Sequence, residues 1–358
     1  MECCVKPRIL SRVVAGLAGV VLAIGLLGTV APLAEAATKI QVTKVTSSKI
    51  YAVPGYAPGM KAIVTKPVLK KGATKKIRAI FNAKIDALVT KETKSLINEM
   101  AELSKQSSFS GQASLKIAAD AVNVYKNRYV SVALYINRDN VVGASSCTDS
   151  FVTYTYDTKK GKFLSLSSFA NTNHNQLFWE VIQKAIAKYP DSYPEYAPQM
   201  MAGGDINAGW VTSAKLPSTW TVSSNGVTFW SPAGGLGTYC YVGPTHFTIA
   251  WGKVLTPSGA KGSAKTYKKI KTWYHGDSVD KSTVKIKGKQ IQLTDGWGDI
   301  FWGVRGAGKT ARVYQTWKFT WTTDYGFTQT ELHANVAIVT FSSKSVKAKP
   351  IKVVIEGN

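Results

Sequence analysis

The sequence predicts an α+β region followed by a small all-β, sandwich-like domain. Three observations carry this reading: two stretches with apolar residues at three- and four-residue steps, short alternating stretches around them, and a last third with no helical period. The chain opens differently. Lys6, Arg8 and Arg12 precede an uncharged run from Val13 to Leu33, and Ala34-Glu35-Ala36 gives a small-x-small pattern. This is the spelling of a signal peptide cleaved after Ala36. The competing reading is a retained membrane anchor, since 21 uncharged residues approach the length of a span. Its glycines and the cleavage pattern favour removal, and no Cys follows the run to accept a lipid. The expected location is therefore secreted or cell-surface.

Short extended pieces broken by Pro54-Gly55 and Pro58-Gly59 are expected from Thr38 to Leu69. A long helix follows, on which Ile77, Phe81, Ile85, Leu88, Leu96, Met100 and Leu103 form one face. Ser107 to Gly111 reads as a turn. Residues 115–125 and 128–137 alternate as two strands joined near Lys126-Asn127, and Phe151 to Tyr156 is a third. Leu177, Phe178, Val181, Ile182, Ala185 and Ile186 mark a second helix, ending before Pro190. A long loop is expected over 190–217, then short strands at Trp220–Val222, Val227–Trp230 and Phe247–Trp251. Residues 255–266 have the composition of a linker. The expected organisation is thus a leader at 1–36, an α+β domain at 37–254, and six or seven short strands at 267–358.

Composition narrows the function. The leader holds Lys6, Arg8 and Arg12 against Glu2 and Glu35, so +23 of the chain's +24 formal charge stays with the remaining 322 residues. The excess is spread and mostly lysine, which favours association with anionic polymers or headgroups; plain solubility is the alternative. Export argues against nucleic acid. Cys147 and Cys240 are the cysteines left beyond the leader, and in an oxidising compartment two thiols pair. In the chain-entropy model such a bridge stabilises by about 4–5 kcal/mol. Two Cys and four scattered His offer no metal site.

The segment Gly303-Val304-Arg305-Gly306-Ala307-Gly308-Lys309-Thr310 satisfies the spelling of a phosphate-binding loop. A true one opens a helix, because the amides at its N-terminus cradle the phosphates. Here Arg312 to Trp321 alternates as a strand, so a glycine-rich hairpin loop and no nucleotide are expected. His174, His246, His275 and His333 have no catalytic spacing, and no nucleophile elbow surrounds a serine. No cofactor and no enzyme activity are expected. Aromatic residues are the better lead. Trp297 and Trp302 flank Asp299 in GWGDIFWG and are candidate glycan contacts, because flat rings stack on the apolar face of a sugar. Trp317, Phe319 and Trp321 share one side of a strand and are expected to be core.

Residues 122–169 carry a family pattern: Tyr129-Val130-Ser131-Val132, Gly143-Ala144, then Tyr156-Asp157 through Gly161-Lys162 to Leu164, Leu166 and Phe169. Trp220-Thr221-Val222, Asn225 to Pro232 and Gly243 to Trp251 continue it. Over about residues 75–254 the chain resembles the secreted domain shared by the lysozyme-sensing anti-sigma factor and a secreted mycobacterial antigen, which also accompanies some peptidoglycan deacetylases. The resemblance implies an α+β fold with a curved antiparallel sheet against two helices, and no known catalytic residues. Many relatives carry Gly-Gly-x-His-Pro where this chain has Gly143-Ala144-Ser145-Ser146-Cys147. Only a dozen residues precede the apolar run, so an anti-sigma role is not expected. A basic chain also repels basic lysozymes at long range.

The leading expectation is a secreted, non-catalytic protein of a Gram-positive-type envelope that engages anionic wall polymer or glycan. A module recognising a lysozyme-like or host protein is the alternative, and a wall-processing enzyme a weaker one. The cysteine pairing makes a direct prediction. Thiol labelling of the native secreted protein should find no free thiol, and two reactive thiols would overturn the bridge.

Overall fold

Two long strands come first among the described residues, not a series of short pieces. β1 (Gln41–Val53) and β2 (Tyr56–Lys71) pair antiparallel around a turn at Pro54-Gly55. Pro58 lies inside β2, opposite the irregularity between Tyr51 and Val53, where a missing N–H breaks no ladder bond. The computed structural model describes residues 39–105, 112–139, 149–171, 176–189, 206–207, 218–233, 243–274, 277–322, 326 and 328–356. The expected leader, Cys147, Cys240, the expected 107–111 turn and nearly all of the expected 190–217 loop lie outside the described residues.

Helix α1 (Lys75–Leu103) begins where Thr74 accepts a hydrogen bond from the Ile77 amide. It buries Phe81, Ile85, Leu88, Leu96 and Met100, the face expected from their spacing. Glu92 is also buried there and is paired with Arg138. The helix leads into β3 (Ala113–Tyr125), which runs parallel to β2, with Met60 opposite Ala113. Parallel neighbours need a long crossover, and α1 supplies it. The first sheet is therefore mixed, a correction to the expected antiparallel one. β4 (Tyr129–Asp139), β5 (Ser150–Asp157) and β6 (Lys162–Phe163) complete it antiparallel, in the order β1-β2-β3-β4-β5-β6.

Helix α2 (Gln176–Lys188) does not join α1 on that sheet. It packs with a second, three-stranded sheet built after the pair Ile206–Asn207 (β7): β8 (Trp220–Val222), β9 (Gly226–Ser231) and β10 (Thr245–Ala250). Its core includes Trp179, Val181, Ile182, Val222, Val227, Phe229 and Ile249. The β8 edge faces the first sheet. There the Val222 amide donates to Ser131 Oγ at 2.9 Å, and the Trp220 amide to Thr153 Oγ1 at 2.9 Å. Ser131 and Thr155 share a further bond of 2.7 Å.

The remaining strands form a closed ring, and this replaces the expected sandwich. They are β11 (Ala264–Tyr274), β12 (Asp277–Lys287), β13 (Gln290–Thr294), β14 (Ile300–Val304), β15 (Thr310–Thr322), β16 (Thr328–Phe341) and β17 (Pro350–Glu356). Their order is β15-β14-β13-β12-β11-β17-β16, and β15 also pairs β16 over its whole length. A sandwich leaves edges, whereas here β17 fills the gap between β11, to which it is parallel, and β16. Val284, Ile291, Leu293, Phe301, Val313, Val339 and Val353 fill the barrel. β7 pairs with β16 outside the ring, with Asn207 opposite His333.

The expected linker is not a spacer. Leu255 is only 3% exposed, Pro257–Ala260 is a 3-10 turn, and β11 already begins at Ala264. Tyr314 and Val336 of the barrel belong to the α2 core, and the Tyr314 hydroxyl hydrogen-bonds both Glu180 and Gln183. Thr38–Asn358 is accordingly one unit, mostly β with two α-helices. Among the described residues no helix is long and apolar enough to cross a membrane.

The β8 edge gives a stability test. In Ser131→Ala the buried Val222 amide loses its acceptor, which should cost about 1–3 kcal/mol in urea unfolding. No loss of stability would show that this hydroxyl does not hold the two sheets together.

Candidate functional site

The tip of the β3–β4 hairpin is a two-residue turn closed by the Arg128 amide donating to the Tyr125 carbonyl at 3.1 Å. Both central residues are left-handed, Lys126 at φ 53° and Asn127 at φ 44°. Such a turn matches strand twist, and Asn suits it. Lysine does not, because its Cβ meets the following carbonyl at a cost of about 1–2 kcal/mol. Asn127 is tied down by accepting from the Ile40 amide at 2.8 Å. Arg128 forms a two-pronged bond to buried Asp157, at 2.9 and 2.6 Å. Its guanidinium also lies 4.9 Å from the Tyr129 ring centre. Burial alone would raise the Asp157 carboxyl, but bonds from Arg128 and from the Lys160 and Lys159 amides outweigh it and hold the group below its ordinary value.

This hairpin presents an aromatic platform. Tyr125 stacks on Trp251 with centroids 5.4 Å apart and planes 16° off parallel. Tyr129 stacks beside Tyr125 at 6.1 Å and meets Phe169 edge-on at 5.1 Å. Trp251 follows β10, and its indole N–H donates to the Ser223 carbonyl at 2.9 Å, which fixes the ring. Opposite stand the 3-10 turn and the β12–β13 hairpin, joined by the Lys289 amide donating to the Gly259 carbonyl at 2.6 Å. Gly288 makes this approach possible: at φ 58°, an added Cβ would lie 2.4 Å from that carbonyl.

Between these parts lies a cleft of about 470 Å³, lined by Tyr125, Tyr129 and Trp251 and by Lys126, Lys261 and Lys289. All three lysines are exposed, and no acid lines the cleft. The Lys126 ammonium sits 5.1 Å from the Tyr125 ring centre. Volume, flat rings, hydroxyls from Ser168, Thr256 and Ser258, and positive charge together suit a small anionic or sugar-bearing ligand.

The sequence-based candidates lie elsewhere. Trp297 is 64% exposed at the tip of the β13–β14 hairpin, edge-on to Tyr274 at 4.4 Å. Asp299 is in the same turn, where Asp295 accepts from the Trp297 and Asp299 amides at 3.0 and 2.8 Å. Burial raises the Asp295 carboxyl. Trp302 is half-buried on β14, opposite Gln292 and Tyr314. None of the three lines the cleft. The side chains of Trp317, Phe319 and Trp321, and the Cys147–Cys240 pair, lie outside the described residues. The Gly303–Thr310 loop ends in β15, without the helix N-terminus a phosphate loop requires. Its Arg305 is buried, donates to the Ser343 and Ser345 carbonyls, and stacks 3.7 Å from the Phe341 ring centre. Among the described residues no three His, Cys, Asp or Glu gather as a metal site.

The cleft was missed because its parts span residues 125 to 289. One signal was available: a hairpin turn spelled Lys126-Asn127 between two tyrosines puts a lysine where Asn or Gly belongs.

No family model matches the chain, and no curated protein does. Among solved structures it is similar to a member of the DUF3298 family from Bacteroides fragilis, at 12% identity over 60% of this chain and 92% of that one, with a TM-score of 0.42. It is also similar to a DUF3298 family protein from Pseudomonas aeruginosa, at 10% identity over 59% and 91%, with a TM-score of 0.39.

The Arg128–Asp157 pair yields a pH prediction. A depressed carboxyl stabilises the fold fully above the unfolded value of about 3.9, and that stability is lost as pH falls through the lower folded value. The stability gap between the native chain and Asp157→Asn should therefore be constant at neutral pH and shrink below about pH 4. A gap that persists unchanged into stronger acid would contradict the pairing.

Proposed function

We propose that this chain is a secreted, non-enzymatic, envelope-associated binding protein that holds an anionic wall polymer or glycan in the Tyr125–Trp251 cleft. One observation carries the reading: aromatic rings line a cleft whose charged lining residues are lysines alone. A pyranose face stacks on the rings, and a carboxylate or phosphate on the same unit meets Lys126, Lys261 or Lys289. The export leader at 1–36 and the net charge of +24 support the same setting. The resemblance of residues 75–254 to the lysozyme-sensor and antigen domain is part of this proposal, with the cleft in place of a protein-binding role.

Lys126 separates this reading from a merely solvated lysine. Its strained backbone means that Lys126→Gly should stabilise the fold by about 1 kcal/mol while weakening retention on purified cell walls. Trp251→Ala should weaken retention about tenfold at low salt. Full retention of both variants, read by sedimentation with walls across a salt series, would refute the cleft as the binding site.

A further inference from the structure

The loop that joins β13 to β14 carries charge of the sign opposite to the chain as a whole. Asp295-Gly296-Trp297-Gly298-Asp299 begins and ends on an acid, in a sequence with 45 basic side chains against 21 acidic ones. Thr294 and Ile300 are register partners, and the Asp295 amide donates to the Asp299 carbonyl at 3.0 Å, so the two acids stand opposite each other at the foot of the loop. Like charges so placed repel. Among the described residues neither enters a salt bridge. The turn accounts for one oxygen only. Asp295 Oδ1 accepts from the Trp297 and Asp299 amides, whereas Oδ2 has no hydrogen-bond partner although the residue is 6% exposed. A buried carboxylate oxygen left in this way is unfavourable to the fold.

Two rings adjoin these acids. Trp297 is exposed between its two glycines, and Tyr274 at the end of β11 meets it with planes 69° from parallel, so the pair forms a corner. Burial first, then the charges of Asp295 and Asp299, raise the Tyr274 hydroxyl, so both carboxylates act on that ring. The loop also borders open space: a Cβ on Gly298 would meet no atom within 4 Å.

We infer that this hairpin tip binds an organic ammonium group, with the Trp297 ring against its carbon substituents and the Asp299 carboxylate against its charge. An indole is the best aromatic partner for a cation. Asp299 is half-buried and supplies the charge-assisted contact, while buried Asp295 holds the loop through Oδ1 and adds a second negative charge. A bound ammonium relieves the repulsion between the two acids. An uncharged sugar stacks on Trp297 equally well but leaves both acids unneutralised. Calcium takes six to eight oxygen ligands, which two carboxylates beside aromatic rings do not offer. The site is independent of the Tyr125–Trp251 cleft, whose charge is of the other sign.

The test is calorimetric titration of the full chain with choline, beside 3,3-dimethylbutan-1-ol, a neutral alcohol of the same shape. Choline should bind, and the alcohol about tenfold more weakly. Trp297→Ala and Asp299→Asn should each weaken choline roughly fivefold, and Trp297→Phe, which keeps an aromatic face, should lose less. Without ligand, the Tm of Asp299→Asn should rise, because the repulsion across the loop is gone. Trp251→Ala should leave choline binding unchanged, so failure of the cleft and failure of this site are read separately. Hexalysine distinguishes an amine carried on a polymer from a free one, and the tighter of the two probes per ammonium group gives the source. Equal affinity for choline and the alcohol would overturn the inference. So would unchanged choline affinity in both Trp297→Ala and Asp299→Asn, or displacement of choline by an equal concentration of calcium.

Discussion

The second sheet depends on how its edge strand β8 is received by the first sheet. A strand at the edge of a three-stranded sheet has outward amides, and those of Trp220 and Val222 face protein. Left unpaired they would oppose the docking that buries the α2 core. The first sheet answers with hydroxyls from alternate positions on its own surface, Thr153 and the Ser131–Thr155 pair. Two sheets are thereby joined without sharing a strand. The docking also brings Trp251, just beyond β10, against Tyr125 at the end of β3, so the aromatic platform follows from a backbone constraint.

Local patterns were legible in the sequence; closures were not. The α1 face from Phe81 to Met100, the Lys126-Asn127 hairpin and the alternation of β15 were all written in three- to four-residue or two-residue steps. Period cannot say which strand pairs with which. The parallel β2–β3 pair and the pairing of β17 with β11 are longer-range facts that leave no mark on spacing. The linker composition of 255–266 misled for a related reason. Small polar residues there let the Gly259 carbonyl come within bonding distance of Lys289, so they serve close packing and not freedom. Tryptophan drew attention to 297 and 302, yet the cleft relies more on tyrosines and on one tryptophan whose partner is 126 residues away.

Two lysine placements share a physical character. Lys126 is held in a backbone conformation that lysine resists, and Lys271 on β11 lies in register with Lys281 on β12 and Lys352 on β17. A sequence selected for stability alone would replace either with little loss of packing, since both side chains point to solvent. Each lies on a rigid support, one at a hairpin tip clamped by Arg128–Asp157 and one in mid-strand. Charge of this kind is positioned, not merely distributed, which an overall excess of basic residues could not reveal.

The ring has a bearing on how the molecule is assembled. β17 follows every other barrel strand in the chain, yet it is the piece that lies between β11 and β16. Until it is in place, β11, the first of the seven, keeps an open edge, and so does the β16 segment from Val336 to Phe341. Closure then needs a contact between residues about eighty apart, and the barrel must wait for its final strand before any part of the rim is sealed. Until β17 arrives, the two edges it will cover are open to pairing with another molecule.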